Sequence, residues 1–150
     1  MRVLLDTNVV LDLFLEREPF VDHAALIWKA NEKGRLTAYV SAITPVNLFY
    51  IGRKLKGREV ALKAVQELLT ALLIAPVNQA VLEGGLSLEF KDFEDAVQCA
   101  SAMASGLDAI ITRNVDDFSK AQLPVLLPAD FIQAHQDIFE KLALDSDGGG

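Results

Sequence analysis

Two short runs of consecutive apolar residues constrain the fold of this chain more than any other feature. Val3-Leu4-Leu5 ends at Asp6, and Ala109-Ile110-Ile111 ends at Thr112. Continuous apolar runs of this length are typical of strands that are buried on both faces of a parallel sheet. Helical spacings alternate with these and with further strand candidates at 36–40, 74–77 and 125–127. We therefore predict a three-layer α/β/α sandwich around a central parallel sheet of four to five strands.

The length of 150 residues fits one domain, which we place at 1–144. The polar, glycine-rich segment 145–150 is predicted to be a disordered tail. A further helix is expected after Asn78, weakened by Gly84-Gly85. The other predicted helices cover 8–16, 20–33, 44–55, 58–73, 93–105 and 128–142.

The formal net charge of −7 argues against broad phosphate binding by the bare surface. The negative charge is still compatible with a nuclease whose acids are neutralised by a bound metal ion. The single cysteine, Cys99, allows no intramolecular disulfide and suits a reducing cytosol. Asp6 and Asp12 interrupt the apolar N-terminal stretch, and no apolar run is long enough to span a membrane, so we expect a cytoplasmic protein.

Polar side chains cluster where predicted strands end or predicted helices begin. The clusters are Asp6-Thr7-Asn8, Asn47, residues 92–95 and residues 112–117. Ligands of open parallel sheets bind outside the carboxyl ends of the strands. If the strands that precede Asp6 and Thr112 are neighbours, these clusters meet at one edge. Several converging acids repel one another unless a divalent cation lies between them, so the pattern favours a metal-dependent enzyme.

Each acid also has a purely structural interpretation. Asp6, Asn8 and Asp92 could be helix N-caps, and Asp117 could cap a short turn. Glu94 and Asp116 are expected to face solvent. Asp95 is harder to explain in this way, because it begins a helix with the apolar run 96–100, where an unpaired acid is costly. His23, His135 and Cys99 form no cluster for zinc, so oxygen ligands favour Mg²⁺ or Mn²⁺.

These residues resemble the PIN domain, in particular the VapC-type toxins of bacteria. The resemblance rests on residues 4–9, on Asp95-Ala96 and on residues 111–118, and runs in order over about residues 1 to 131. It implies an α/β/α fold, Mg²⁺ or Mn²⁺, and endonucleolytic cleavage of RNA. For toxin members it also implies a cognate antitoxin and a homodimer.

The resemblance assigns Asp6 and Asp95 to the first and third family acids, which hold the metal. Asn47 stands where the second acid is usually a glutamate, as in a subgroup of the family with asparagine there, and it would position water or metal. Asn114 stands at the usual fourth acid, so Asp117 and Asn114 would complete or orient the shell.

Four further residues are secondary candidates. Asp116 could compensate for the amide at 114, and Asp92 could enter the site. Thr112 would donate a hydrogen bond to Asp6 or to phosphate. Arg113 would contact RNA phosphate or form a structural ion pair.

Two rival functions remain open. The amides at Asn47 and Asn114 suit a catalytically weakened PIN-fold module that binds RNA or protein. A phosphatase with an aspartyl nucleophile would require a second acid two residues after Asp6, where Asn8 stands. A receiver-like domain would require paired acids after the first strand and a lysine after the fifth, which this layout does not clearly supply.

Overall fold

The computed structural model describes residues 1–148, and these contain a five-stranded sheet in which every neighbouring pair is parallel. The strand order is β3-β2-β1-β4-β5. The strands are β1 (Arg2–Leu5), β2 (Thr37–Ser41), β3 (Leu73–Ala75), β4 (Ala109–Ile111) and β5 (Val125–Leu126). The predicted fold class is therefore confirmed, and the two apolar runs are adjacent, with Leu5 paired to Ile111.

Helices cover both faces of the sheet. They are α1 (Thr7–Phe14), α2 (Val21–Glu32), α3 (Thr44–Lys56), α4 (Arg58–Ala71), α5 (Gln79–Ser87), α6 (Phe93–Ala104), α7 (Pro128–Ala134) and α8 (Gln136–Gly148), with a short 3-10 helix at Val115–Phe118. The expected single helix over 128–142 is wrong, because the backbone leaves the helical conformation at His135. Helix α8 extends to Gly148, residues 149 and 150 lie outside the described part, and the disorder of 145–150 stays a prediction.

Alternate residues of β1 face opposite core layers. Val3 and Leu5 pack in a cluster with residues of α1, α2, α3, α4, α7 and α8, whereas Leu4 packs with Cys99 and Ala102 of α6. Burial on both faces explains why the run Val3-Leu4-Leu5 is apolar throughout. Within residues 1–148, no helix has both the length and the apolar character needed to cross a membrane.

The helix that carries Asp95 is held by close packing of α5 on α6. Asn78 caps α5, as predicted, because its side chain accepts a hydrogen bond from the Val81 N–H at 3.0 Å. A Cβ atom added at Gly85 would lie 3.4 Å from the backbone nitrogen of Val97, whereas one at Gly84 would have no neighbour closer than 3.9 Å. Gly85 therefore permits the close approach, and Gly84 does not contribute to it.

These two adjacent glycines give a matched test of the packing. We expect Gly84→Ala to raise the free energy of unfolding by about 0.5–1 kcal/mol, because alanine loses less backbone entropy in a helix. Gly85→Ala should lose this gain, because its methyl group crowds the Val97 backbone. Chemical denaturation monitored by circular dichroism measures both, and an equal gain in the two variants would contradict the packing.

Candidate active site

Asp6 is the most buried acid at the carboxyl edge of the sheet, with 2% of its surface exposed. Its backbone N–H donates to the Ile111 carbonyl at 3.0 Å, which fixes Asp6 beside the end of β4. It occupies the N-cap position of α1, but its side chain makes no capping hydrogen bond. The capping interpretation therefore does not explain the carboxylate, which points to other partners.

Two side chains from different elements hold the Asp6 carboxylate. Gln98 Nε2 donates to Oδ1 at 3.0 Å, and the Thr112 hydroxyl donates to Oδ2 at 2.7 Å. Thr112 is oriented in turn, because its Oγ1 accepts from the Asn114 N–H at 3.0 Å. Each carboxylate oxygen keeps a second lone pair, so these bonds orient Asp6 without exhausting its capacity as a ligand.

Sequence reasoning missed Gln98. It lies in α6, is fully buried, and links Asp6 to the start of α1, because its Oε1 accepts from the Thr7 N–H at 3.2 Å. A signal was available, since Gln98 follows Asp95 by three residues and interrupts an apolar run. Residues three apart share a face of a helix, so a polar side chain there extends the site that Asp95 begins.

One threonine links the start of α3 to the start of α1. Thr44 lies within α3, whose N-cap is Ile43, and its hydroxyl lies 2.9 Å from that of Thr7. Both threonines are buried. The starts of α1 and α3 are thereby joined beside Asp6.

Asp95 is electrostatically coupled to the other acids of the edge. Partial burial, followed by the negative charges of Asp6, Asp92, Asp117 and Glu94 in that order, raises the pKa of its carboxyl group to about 7. Asp6 is thus the charged neighbour with the largest effect on Asp95. Such mutual repulsion is the state that a bound cation would relieve.

Glu94 was expected to face solvent, and it is exposed, but it has a specific partner. Asn47 Nδ2 donates to Glu94 Oε1 at 2.8 Å, which joins the first turns of α3 and α6. Partial burial and the charges of Asp92 and Asp6 raise the pKa of Glu94, and the Asn47 hydrogen bond opposes them. Glu94 therefore belongs to the same group of acids.

The remaining acidic candidates line an open cleft of about 490 Å³. Asp92 caps α6 by accepting the Asp95 N–H at 3.0 Å, so its capping interpretation holds although it also faces the cleft. The cleft also contains Asp95, Asp116 and Asp117. Asp116 and Asp117 are exposed residues of the 3-10 helix, and Asn114 at its start is exposed too.

Arg113 forms the structural ion pair that was one of its two interpretations. Its guanidinium donates to both carboxylate oxygens of Asp12, at 2.6 and 3.1 Å, and its Cζ lies 4.0 Å from the centre of the Phe20 ring. Asp12 is 1% exposed, and burial raises its pKa although Arg113 opposes this. Sequence reasoning missed this pair, because its members lie 101 positions apart.

The donor chemistry of the edge fits a hard divalent cation. Within residues 1–148, no three acid, histidine or cysteine side chains are already arranged to hold an ion. Mg²⁺ requires less than this, because it commonly binds through one or two carboxylates and keeps several waters. Asp6 and Asp95 are the two carboxylates of this edge that would hold such an ion.

Comparison with known proteins agrees with this geometry. The family model described as "PIN domain" matches residues 2–116. A search of curated protein sequences gives no match.

Solved structures share the fold over most of the chain. A toxin–antitoxin complex from Klebsiella pneumoniae is 28% identical, covers 84% of this chain and 97% of its own, and has a TM-score of 0.63. The DNA-bound VapBC of Salmonella typhimurium is 18% identical, with coverages of 83% and 96% and a TM-score of 0.67. A Mycobacterium tuberculosis toxin described as cleaving the sarcin–ricin loop is 15% identical, with coverages of 72% and 86% and a TM-score of 0.60.

The repulsion at Asp95 predicts that removing its charge stabilises the metal-free protein. The pKa of Asp95 is raised to about 7 in the folded protein, so the unfolded chain ionises this group at a lower pH than the folded one. The free energy of unfolding therefore falls as the pH rises from the unfolded pKa to about 7. At pH 8, Asp95→Asn should therefore gain about 1–2 kcal/mol after discounting for solvent screening, or roughly 2–8 °C in Tm. The gain should shrink towards pH 4.

Thermal unfolding in EDTA across this pH range checks the expectation. Glu140→Gln, which removes an exposed acid of α8, is the control and should leave Tm nearly unchanged. Equal Tm values for wild type and Asp95→Asn at pH 8 would show that the acids do not repel one another as described.

The Asp12 ion pair predicts a second stability difference. Arg113→Met leaves the buried Asp12 carboxylate without its bidentate partner and should cost about 3 kcal/mol. Arg17→Met is the matched control, because Arg17 lies 3.8 Å from the same carboxylate and is 35% exposed, so its loss should cost about 0–1 kcal/mol. Urea unfolding separates the two, and similar losses would argue against a dominant role for Arg113.

Proposed function

The chain belongs to the PIN-domain family, and we propose that it is a metal-dependent endoribonuclease, the toxin of a type II toxin–antitoxin pair. The observation that carries the proposal is the coupling of Asp6 and Asp95 at the carboxyl edge of the sheet, where Asp6 contributes the largest charge effect on the Asp95 pKa. Two acids 89 positions apart come together there without a cation of the chain paired to either one in the described residues. That arrangement favours a bound divalent ion.

We assign Asp6 and Asp95 as the metal ligands, with Mg²⁺ or Mn²⁺ as the ion. A divalent ion bound there would activate water and stabilise the charge that develops on the scissile phosphate. Gln98 and Thr112 hold the Asp6 carboxylate in one orientation through their hydrogen bonds. Asn47, Asn114 and Asp117 are assigned to positioning around the ion, and Asp92 and Asp116 add negative charge to the cleft.

The proposed substrate and partners follow from the comparisons. The Mycobacterium tuberculosis toxin is described as cleaving an RNA loop, and this supports RNA as the substrate. The Klebsiella and Salmonella structures are toxin–antitoxin complexes, which supports a cognate antitoxin for this chain. We also propose a homodimer, which the exposed apolar residues of the helices, such as Leu86 at 68% exposure, would help to stabilise.

A catalytically weakened PIN-fold module that binds RNA or protein is the alternative function. Amides at Asn47 and Asn114 in place of acids favour it, because each removes a negative charge from the ion's surroundings. Calorimetric titration with Mn²⁺ discriminates the two functions. Binding that Asp95→Asn abolishes supports the enzyme, and an absence of binding at millimolar Mn²⁺ supports the module.

Cleavage of single-stranded RNA in Mn²⁺ tests the enzyme directly. We expect EDTA to abolish cleavage, and Asp6→Asn or Asp95→Asn to slow it by about 100-fold or more, because each removes a charged ligand. The readout is the appearance of shortened fragments of an end-labelled RNA on a denaturing gel.

Glu140→Gln is again the matched control, and its rate should equal that of the wild type. An RNA that stays intact with the wild type, or is cut equally by wild type and Asp6→Asn, would contradict the proposal.

A further inference from the structure

An acidic site leaves the binding of RNA phosphates unexplained. The cleft contains several carboxylates. Arg113 precedes two of them, Asp116 and Asp117, by only a few residues, but its guanidinium is paired with Asp12. Lys91 and Lys120 also line the cleft, but its carboxylates outnumber these two cations, and the Lys120 ammonium group donates to the Glu89 carbonyl oxygen at 2.9 Å. A substrate backbone, which carries one negative charge per nucleotide, therefore needs cations from elsewhere on the surface.

The densest group of cations on the chain lies at the junction of α3 and α4. Five of the fourteen lysines and arginines fall between positions 53 and 63, with Glu59 as the one acid among them. All five are exposed, and none forms a salt bridge with any residue in 1–144, the range whose side chains the structure describes. We call this group the basic tip; its members are Arg53, Lys54, Lys56, Arg58 and Lys63.

The basic tip is connected to the site by one face of α3. Asn47, which bonds Glu94, lies in the first turn, and Lys54 follows it by seven residues, or two helical turns on the same face. The axial separation of the two residues is about 10 Å at 1.5 Å per residue. Tyr50 lies between them, on nearly the same face, and is 61% exposed.

We propose that this face of α3, from Asn47 through Tyr50 and Lys54 to the basic tip, is the track on which single-stranded RNA lies as it enters the site. The proposal rests on the proposed function, because it names the surface that holds the substrate of that site. An exposed aromatic ring beside exposed cations suits single-stranded nucleic acid, since bases stack on the ring while phosphates contact the cations.

Two other ligands of this face would explain fewer of its features. An acidic protein segment would pair with the cations but has no need of a flat ring beside them. A second copy of this chain presents one acidic patch, the cleft of Asp92, Asp95, Asp116 and Asp117, but that patch gives no role to an exposed ring beside the cations. RNA accounts for the ring of Tyr50 and the charge of Lys54, which share the Asn47 face of α3, and for the further cations at the end of that helix.

The test measures binding of a fluorescein-labelled, single-stranded RNA by anisotropy in EDTA, so that no cleavage intervenes. Lys54→Gln/Lys56→Gln should weaken binding and reduce the slope of log K against log salt by about 0.7 for each phosphate that is no longer neutralised. Tyr50→Ala should weaken binding about fivefold to a hundredfold, and Tyr50→Phe should restore it, because the ring is what stacks.

Lys33→Gln/Lys141→Gln is the matched control, because it removes the same charge from two exposed residues away from α3. Its affinity and salt slope should equal those of the wild type. Thermal unfolding of every variant checks that the fold is intact, which is expected for exposed positions.

The results of these experiments distinguish a failure of the proposed RNA track from a failure of the proposed ribonuclease function. A wild type that cuts RNA in Mn²⁺ while the Lys54/Lys56 and Tyr50 variants bind and cut equally well would overturn the track and leave the function standing. A wild type that neither binds nor cuts RNA would overturn both. Binding of polyglutamate, or a dimer, that the same variants abolish without any change in RNA affinity would assign the face to a protein partner and overturn the track.

Discussion

The hydrogen bonding of one buried carboxylate links the fold of this protein to its site. Asp6 is 2% exposed, and an ion so buried must be compensated by donors. Gln98 supplies one from α6, and Thr112 supplies the other from the end of β4. The Asp6 carboxylate can thus be satisfied only when β1, β4 and α6 are assembled, and this assembly also brings Asp95 to the same edge.

Two partly or fully buried acids of the molecule differ in whether a cation of the chain neutralises them. Asp12 is buried and neutralised by Arg113, which stabilises the fold but removes that cation from the surface of the site. Asp95 has no such partner among the residues that the structure describes, and its pKa rises to about 7. The acids at the open edge around Asp95 therefore still repel one another, whereas the charge of the buried Asp12 is neutralised by Arg113. The cations of the basic tip lie on α3 and α4, where they can meet an anionic ligand.

The sequence predicted what depends on local pattern and missed what depends on distant pairing. The strand of Val3-Leu4-Leu5 and its place in a parallel sheet follow from apolar continuity, whereas its pairing beside Ile110 was only a condition of the site prediction and is shown by the structure. Gln98 was missed because an amide in a helix usually indicates an exposed face. The partner of Arg113 and the role of Thr44 depend on contacts between segments far apart in the chain, which no local pattern encodes.

The amide at Asn47 changes the position of a negative charge more than it removes one. A glutamate at this position would repel Glu94, whose pKa is already raised by burial and by Asp92 and Asp6. The amide instead donates a hydrogen bond to Glu94 at 2.8 Å and keeps that carboxylate beside the site. An asparagine in α3 can therefore recruit an acid from α6, so that its presence alone does not argue for the loss of catalysis. The pairing answers the argument from Asn47 for the binding module, whereas the amide at Asn114 still removes one negative charge.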